Sequence, residues 1–172
     1  MFTCDKCTLK GCCLQPVELV LEDIKRFRDA KVDVPMAHST VGDVEYVMID
    51  SFQNNRIICP MMMDDGMCSI YDHRPNICRD FNCMALDMNA KEYKKFKRRC
   101  SESEYIDLLQ SPGKNSIKEL KNDIKISDIL DFNIREIEPF DIIKKTINTR
   151  FSLLKFLGAS EEEVLKAMRR EK

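Results

Sequence analysis

The pattern of apolar residues predicts helices along most of the chain and strands only near its middle. Apolar residues three and four positions apart predict helices over residues 17–30 and 141–157. Val, Ile and Tyr are concentrated over residues 44–50, and Ile recurs over 56–59 after a polar turn, which indicates a β-hairpin. Residues 31–43 show no regular period, so we expect irregular structure there.

Local start signals add further helices. Pro75 suits the first position of a short helix. A longer helix is predicted over residues 84–99, where apolar side chains recur on one face. Ser116–Glu119 and Ser160–Glu163 have the Ser-x-x-Glu spacing of a capping box, which predicts a helix after each serine.

Composition and charge exclude several classes of protein. With 172 residues, 44% of them hydrophobic and 33% charged, the chain has the balance of a globular protein with a real core. Its net charge of −1 gives no overall attraction to nucleic acid or to an anionic membrane, and we expect neither as a partner. No apolar run approaches the roughly 18 residues of a membrane span. The first residues lack the basic and apolar regions of a signal peptide, which predicts a cytoplasmic location.

The cysteines are the residues that indicate a specific chemistry. Eight of the nine cysteines lie before residue 84, in an early group and a late group. In a reducing cytoplasm, clustered cysteines more often bind metal than form disulfides. The predicted metal ligands are Cys4, Cys7, Cys12, Cys13, Cys59, Cys68, Cys78 and Cys83. The ninth, Cys100, follows the apolar face of the helix predicted over 84–99, and we expect a buried structural thiol there.

For each late cysteine, the sequence predicts a structural element that brings it to the metal site. The hairpin brings Cys59, a turn at Gly66 brings Cys68, and the proline-started helix brings Cys78 and Cys83. In the early group, the C-x-x-C spacing of Cys4 and Cys7 lets two thiolates face one ion. Neighbouring side chains in extended backbone point to opposite sides. Cys12 and Cys13 therefore either serve two centres, or one binds metal and the other packs.

The spacing favours an iron–sulfur cluster over zinc. Zinc fingers commonly use two C-x-x-C pairs per ion, and only Cys4 and Cys7 have that spacing. The late cysteines are separated by eight, nine and four residues, which suits ligands gathered from separate elements around a larger cofactor. We expect one or two 4Fe–4S clusters, with zinc as the alternative. Arg74 and Arg79 flank the late cysteines. They either pair with acids such as Asp72 or Asp80, or they offset the negative charge of a bound cluster or bind an anionic substrate.

The cysteine segments resemble the CxxCxxCC family, described as zinc- or iron-chelating proteins. The resemblance begins with the early group ending in Cys12-Cys13 and continues in the acidic and basic residues of segment 21–26. It is strongest in the block Gly66-x-Cys68-x-Ile70-Tyr71-x-x-Arg74-Pro75-x-x-Cys78-Arg79-x-Phe81-x-Cys83. It covers roughly residues 1–85. One departure is that four residues separate Cys7 from Cys12, where the family usually has two.

The resemblance implies metal binding but no single reaction, because the family includes flagellin lysine methylases that use S-adenosylmethionine. We expect an α+β, mostly α fold: a cysteine-rich metal-binding domain over residues 1–100, covered by a helical extension over 101–172. The favoured function is an iron–sulfur protein that transfers electrons or serves as a subunit of a larger redox or maturation complex, with protein partners. A cluster-dependent enzyme and a zinc-stapled interaction module remain alternatives.

Overall fold

The computed structural model describes residues 10–52, 55–116 and 123–170, without the side chains of residues 167, 168 and 170. These residues form one three-stranded sheet and are otherwise mostly helical, which confirms the predicted fold class. The strands are β1 (Met36–Val41), β2 (Val44–Ile49) and β3 (Ile134–Glu136). The α-helices are α1 (Leu21–Ala30), α2 (Asn76–Asp80), α3 (Ala90–Arg99), α4 (Glu102–Gln110), α5 (Pro139–Phe156) and α6 (Glu161–Arg170). None of the helices in these ranges combines the length and apolar composition needed to cross a bilayer.

Buried side chains of the described residues form three hydrophobic clusters. The first lies between α1 and one face of the sheet and includes Val17, Leu19, Ile24, Phe27, Val34, Met36, Val47, Ile49, Cys59, Ile70, Ile124 and Ile129. The second joins α4, α5 and α6 and consists of Cys83, Ala85, Ile106, Leu108, Leu109, Leu153, Leu154 and Val164. The third consists of Ala37, Met48, Phe52, Ile57 and Ile137. Both halves of the chain contribute to the first and third clusters. The predicted boundary between a metal-binding domain and a helical extension at residue 100 stays a prediction.

The observed hairpin differs from the predicted one. Strand β2 pairs with β1 in antiparallel fashion, and β1 also pairs with β3 in parallel, so β1 is the central strand. The prediction of irregular structure over 31–43 is therefore wrong at Met36–Val41, which form β1, and the prediction of a strand over 56–59 is wrong. Strand β1 gives no alternating pattern because residues Met36 to Ser39 are all buried, with the first and third clusters covering opposite faces. Gly42, at φ 63°, makes the turn into β2.

Helix α1 begins later than its periodicity predicts. Residues 17–20 are extended and lie along the free edge of β2: the Leu19 amide donates to the Val47 carbonyl at 2.9 Å. The Ile49 amide donates to the Val17 carbonyl, also at 2.9 Å. The predicted start of the helix at residue 17 is wrong because these residues satisfy their backbone groups on the sheet edge instead.

The helix predicted over 84–99 is two elements. A 3₁₀ turn, Met84–Asp87, precedes α3, which starts where the Asn89 side chain accepts hydrogen bonds from the Lys91 and Glu92 amides. Helix α4, which the sequence analysis did not predict, follows at once with Ser101 as its N-cap. Cys100 lies at the junction, half-buried, and its amide donates to the Phe96 carbonyl at 2.9 Å.

The two C-terminal helices agree with the prediction. Helix α5 starts at Pro139 and ends at Phe156, close to the predicted range, with Gly158 in the left-handed region at φ 88° just beyond it. Before α6, the Ser160 amide donates to the Glu163 carboxylate at 2.7 Å, which confirms that capping box. The capping box predicted at Ser116–Glu119 extends into residues 117–122, outside the described residues.

Candidate metal centre

Five cysteines from three separate stretches of chain lie near one another beside the first hydrophobic cluster. Cys12 and Cys13 lie in a 3₁₀ turn, Gly11–Leu14. Cys59 follows the sheet and belongs to the cluster, Cys68 lies in the turn after it, and Cys78 lies in α2. Cys13, Cys68 and Cys78 pack against the cluster with partly buried side chains, while Cys12 is exposed.

A backbone hydrogen bond joins the early cysteines to the late ones. The Cys59 amide donates to the Cys13 carbonyl at 3.0 Å. The predicted delivery of Cys59 by a hairpin strand is wrong, because the backbone around it pairs with the turn of Cys13 and not with β2. This contact fixes the relative position of two segments that are 46 residues apart in sequence.

The turn that carries Cys68 agrees with the prediction. Met62 and Cys68 form an isolated antiparallel bridge, and the Met62 amide donates to the Cys59 carbonyl at 3.1 Å. Gly66 closes the turn at φ 77°, a conformation that side-chain-bearing residues rarely adopt. The Asp65 carboxylate accepts from the Met67 amide at 2.8 Å. Cys59 and Cys68 are therefore held by one compact loop.

A buried carboxylate positions the helix of Cys78. Asp23, in the first turn of α1, is 1% exposed and accepts from the Asn76 amide at 2.8 Å, from the Val20 amide at 3.1 Å and from Arg26 Nη1 at 2.9 Å. Arg26 also donates to the Arg74 carbonyl at 2.9 Å and to the Asn76 side chain at 2.7 Å. We call these contacts the Asp23–Arg26 network; they hold the first residue of α2 two positions before Cys78.

The pKa values of four of these thiols, Cys12, Cys13, Cys59 and Cys78, are shifted by burial and by neighbouring thiols. A hydrogen bond from Cys12 to Cys13 lowers the pKa of the Cys13 thiol and raises that of Cys12. Burial raises the pKa of Cys59, and the charges of Cys68 and Cys12 add to that effect. For Cys78, burial first and then the charges of Cys59, Cys12 and Cys68 raise the pKa to about 12. The negative charge of one thiolate therefore opposes ionisation of the thiols near it, and a bound cation would remove that opposition.

The donor set fits a soft metal. Thiolates bind zinc, copper(I) and iron–sulfur clusters, whereas calcium and magnesium prefer oxygen ligands. Cys12, Cys13, Cys59, Cys68 and Cys78 would hold such a group. Among residues 10–52, 55–116 and 123–170, no three His, Cys, Asp or Glu side chains already have the arrangement of an ion site.

The other three predicted ligands are Cys4, Cys7 and Cys83. Cys4 and Cys7 are outside the described residues. Cys83 is in the second hydrophobic cluster, where it forms an isolated bridge with Pro112. Its neighbours are bonded to the same loop: the Asn82 amide donates to the Ser116 hydroxyl at 2.8 Å and the Met84 amide to the Ser111 carbonyl at 3.0 Å. Metal binding by these three cysteines stays a prediction, as does metal binding by the other five.

Arg74 braces its loop through an aromatic ring. Its guanidinium lies 3.7 Å from the centre of the Tyr71 ring, and its Nε donates to the Tyr71 carbonyl at 2.9 Å. Arg79 is exposed on α2. Within the described part of the chain, neither arginine forms the ion pair with Asp72 or Asp80 that one prediction required. Their contribution to a bound cluster stays a prediction.

The sequence analysis missed the role of Asp23. The available signal was an acid at the third position of a helix whose N-cap, Val20, has no hydrogen-bonding side chain. That signal indicates a hydrogen bond to the N-cap amide, which the structure has. It does not indicate the bond to Asn76, which depends on a segment 53 residues away.

Comparison with known proteins gives one match. No curated protein and no solved structure matches the chain. The model of the CxxCxxCC family, described as "Putative zinc- or iron-chelating domain", matches residues 3–101, which is more than half of the chain. That range contains the five cysteines of the centre, the Asp23–Arg26 network and α2. The chain therefore belongs to the CxxCxxCC family of zinc- or iron-chelating domains.

Proposed function

We propose that this chain is an iron–sulfur protein that transfers electrons or serves as an accessory subunit of a larger redox or maturation complex. The observation that carries the proposal is the meeting of five cysteine side chains from three separate segments beside one hydrophobic cluster. An iron–sulfur cluster, when bound, supplies one-electron chemistry. The chain's own residues supply the ligands, the apolar wall and the contacts that hold the ligands in place.

The number of thiols supports a cluster over a single structural zinc. Four thiolates complete a tetrahedral zinc site. The described part of the chain already brings five together, and Cys4 and Cys7 add two more early in the sequence. A surplus of thiols suits a larger cofactor, a second centre or a spare ligand more readily than one zinc ion.

The surroundings of the thiols also support this function. Cys59 belongs to the first hydrophobic cluster, and Ile70 and Ile77 pack in or against the same cluster. An apolar wall lowers the local dielectric constant and limits access of water, two factors that tune the potential of an iron–sulfur cluster. The exposed side chain of Cys12 leaves one side of the centre near solvent, as a short path to a redox partner requires.

Anaerobic purification followed by measurement of iron, zinc and acid-labile sulfide tests the proposal. We expect iron and sulfide in equal amounts, a brown colour, and an electron paramagnetic resonance signal after reduction. Stoichiometric zinc without iron would instead favour the zinc-stapled interaction module. A cluster with an open iron site and measurable binding of S-adenosylmethionine would favour the enzyme.

Two single substitutions locate the centre. Cys78→Ser removes a thiol of the group, so we expect loss of most bound metal and a lower melting temperature. Cys100→Ser is the matched control, because Cys100 lies at the junction of α3 and α4. Full metal content and unchanged stability in the Cys78 variant would show that the centre is elsewhere. Cys83→Ser, measured alongside, shows whether the second cluster contributes a ligand.

A further inference from the structure

Helix α3 concentrates positive charge that the total composition hides. Six of its ten residues are basic and one, Glu92, is acidic. The basic residues are Lys91, Lys94, Lys95, Lys97, Arg98 and Arg99. Since the whole chain has 28 Lys and Arg against 29 Asp and Glu, α3 carries a net charge of +5 and the remainder −6. The net charge of −1 is therefore the sum of two regions of opposite sign.

These six charges are exposed and are not neutralised within the described part of the chain. No ion pair of the described residues includes any of them. Lys97 lies over the ring of Tyr105 at 5.4 Å, and Glu92 is engaged in capping the helix through the Asn89 amide. Six like charges on about 15 Å of helix lie within or near one Debye length, so they repel one another. An anionic partner would relieve that repulsion.

The opposite face of α3 anchors the helix. Tyr93 and Phe96 pack against the second hydrophobic cluster, and the Tyr93 and Tyr105 hydroxyls are hydrogen-bonded at 3.0 Å. The Asn89 cap at one end and the direct junction with α4 at the other also restrain it. The basic face is therefore presented by a supported helix, which lowers the entropic cost of binding.

We infer that the exposed face of α3 is a docking surface for the acidic face of a protein partner. The inference goes beyond the proposed function and does not depend on which metal the cysteines hold. Complementary charge steers a partner into place and raises its association rate without a large buried area.

Two features of α3 favour a protein over other anionic partners. Its aromatic side chains, Tyr93 and Phe96, pack on the core, so they do not form a platform on which bases could stack. The remainder of the chain, at −6, repels a long polyanion that extends past the helix. A membrane-binding helix would also need an apolar face free to enter lipid, and that face of α3 is on the core.

The test uses the full-length, metal-loaded chain and three probes. A short oligo-L-glutamate, no longer than α3, stands in for an acidic protein face, a short DNA duplex for nucleic acid, and phosphatidylserine vesicles for a membrane. The α3 variant is Lys94→Gln, Lys95→Gln and Arg98→Gln together. The matched control, Lys144→Gln, Lys155→Gln and Lys166→Gln, removes the same charge from exposed positions on α5 and α6. Circular dichroism confirms that both variants fold.

We expect the wild-type chain to bind the oligo-L-glutamate in a salt-dependent manner. The α3 variant should bind about tenfold more weakly, because it lacks three exposed charges that can pair with the probe, and the control should change by less than about twofold. Equal weakening in the control, or no binding by the wild type at low salt, would overturn the inference. Tighter binding of the duplex or of the vesicles, lost in the α3 variant, would assign the surface to that partner instead.

Metal content, measured on the same samples, separates the two proposals. Zinc in place of iron would contradict the iron–sulfur function and would not affect a positive result with the oligo-L-glutamate. Normal iron content, together with equal binding of the probe by the two variants, would support the iron–sulfur function and overturn the inference about α3.

Discussion

Asp23 offers the sharpest test of how the fold supports the metal centre. Replacement of Asp23 by Ala removes three hydrogen bonds, from the Val20 and Asn76 amides and from Arg26. The carboxylate is 1% exposed, so little water can replace it, whereas the Arg26 side chain is 22% exposed and stays partly solvated. The variant therefore leaves two amides, that of the buried Val20 and that of the partly buried Asn76, and part of a cation without an acceptor.

The expected loss follows from those contacts. Removal of one partner of a fully buried ion pair costs about 3–5 kcal/mol. The partial exposure of Arg26, and its remaining bonds to the Arg74 carbonyl and the Asn76 side chain, reduce that figure. We expect the free energy of unfolding to fall by about 3 kcal/mol. Asp23→Asn keeps the shape and one acceptor oxygen, so its loss should be smaller, about 1–2 kcal/mol.

Urea unfolding of the metal-free chain, kept reduced and anaerobic, measures this loss. Asp29→Ala is the matched control, because Asp29 is an exposed acid on the same helix and should change stability by less than about 0.5 kcal/mol. The metal affinity of the Asp23→Ala variant should fall about tenfold, the usual effect of removing a group that orients a ligand. Stability within the range of the control would refute the argument that the Asp23–Arg26 network holds α2.

Three further changes test other parts of the structure. Gly66→Ala should lower both stability, by about 1 kcal/mol, and metal affinity, because Gly66 has φ 77° in the turn that presents Cys68. Thr149→Val should cost about 1–3 kcal/mol in urea unfolding, because the Thr149 hydroxyl accepts from the buried Ile57 amide at 2.6 Å. Metal removal by a chelator should lower the melting temperature measured by calorimetry, since a ligand at 100 times its dissociation constant contributes about 2.7 kcal/mol.

Each of these has its own check. Gly42→Ala imposes the same backbone strain at φ 63°, in the turn between β1 and β2, and should lower stability while metal affinity stays normal. Thr149→Ser retains the hydroxyl, and a loss equal to that of the Val variant would show that the hydrogen bond is not the cause. A melting temperature that the chelator does not change would show that metal binding does not stabilise the fold.

Local chemistry alone was enough to predict the elements whose signals are contained in a few neighbouring residues. Ser160 and Glu163 cap α6 through each other, and Gly66 forms its turn, because each signal needs only adjacent residues. Pro75 marks the start of α2 to within one residue, since it is the N-cap and the helix begins at Asn76. The residue types of the cysteines also determine the class of metal, since soft thiolates exclude the hard cations wherever they meet. The mostly helical fold class follows from periodicity in the same way.

The sheet and the support of the centre were decided by residues far apart in sequence. Strand β1 is buried on both faces, so its sequence has no alternation, and residues 17–20 have a helical period but lie along an unpaired sheet edge. The same holds for the meeting of Cys13 with Cys59 and for the bond of Asp23 to Asn76, each between segments about fifty residues apart. Sequence spacing identifies which thiols can bind metal; only packing, which satisfies backbone groups with distant partners, decides which of them meet.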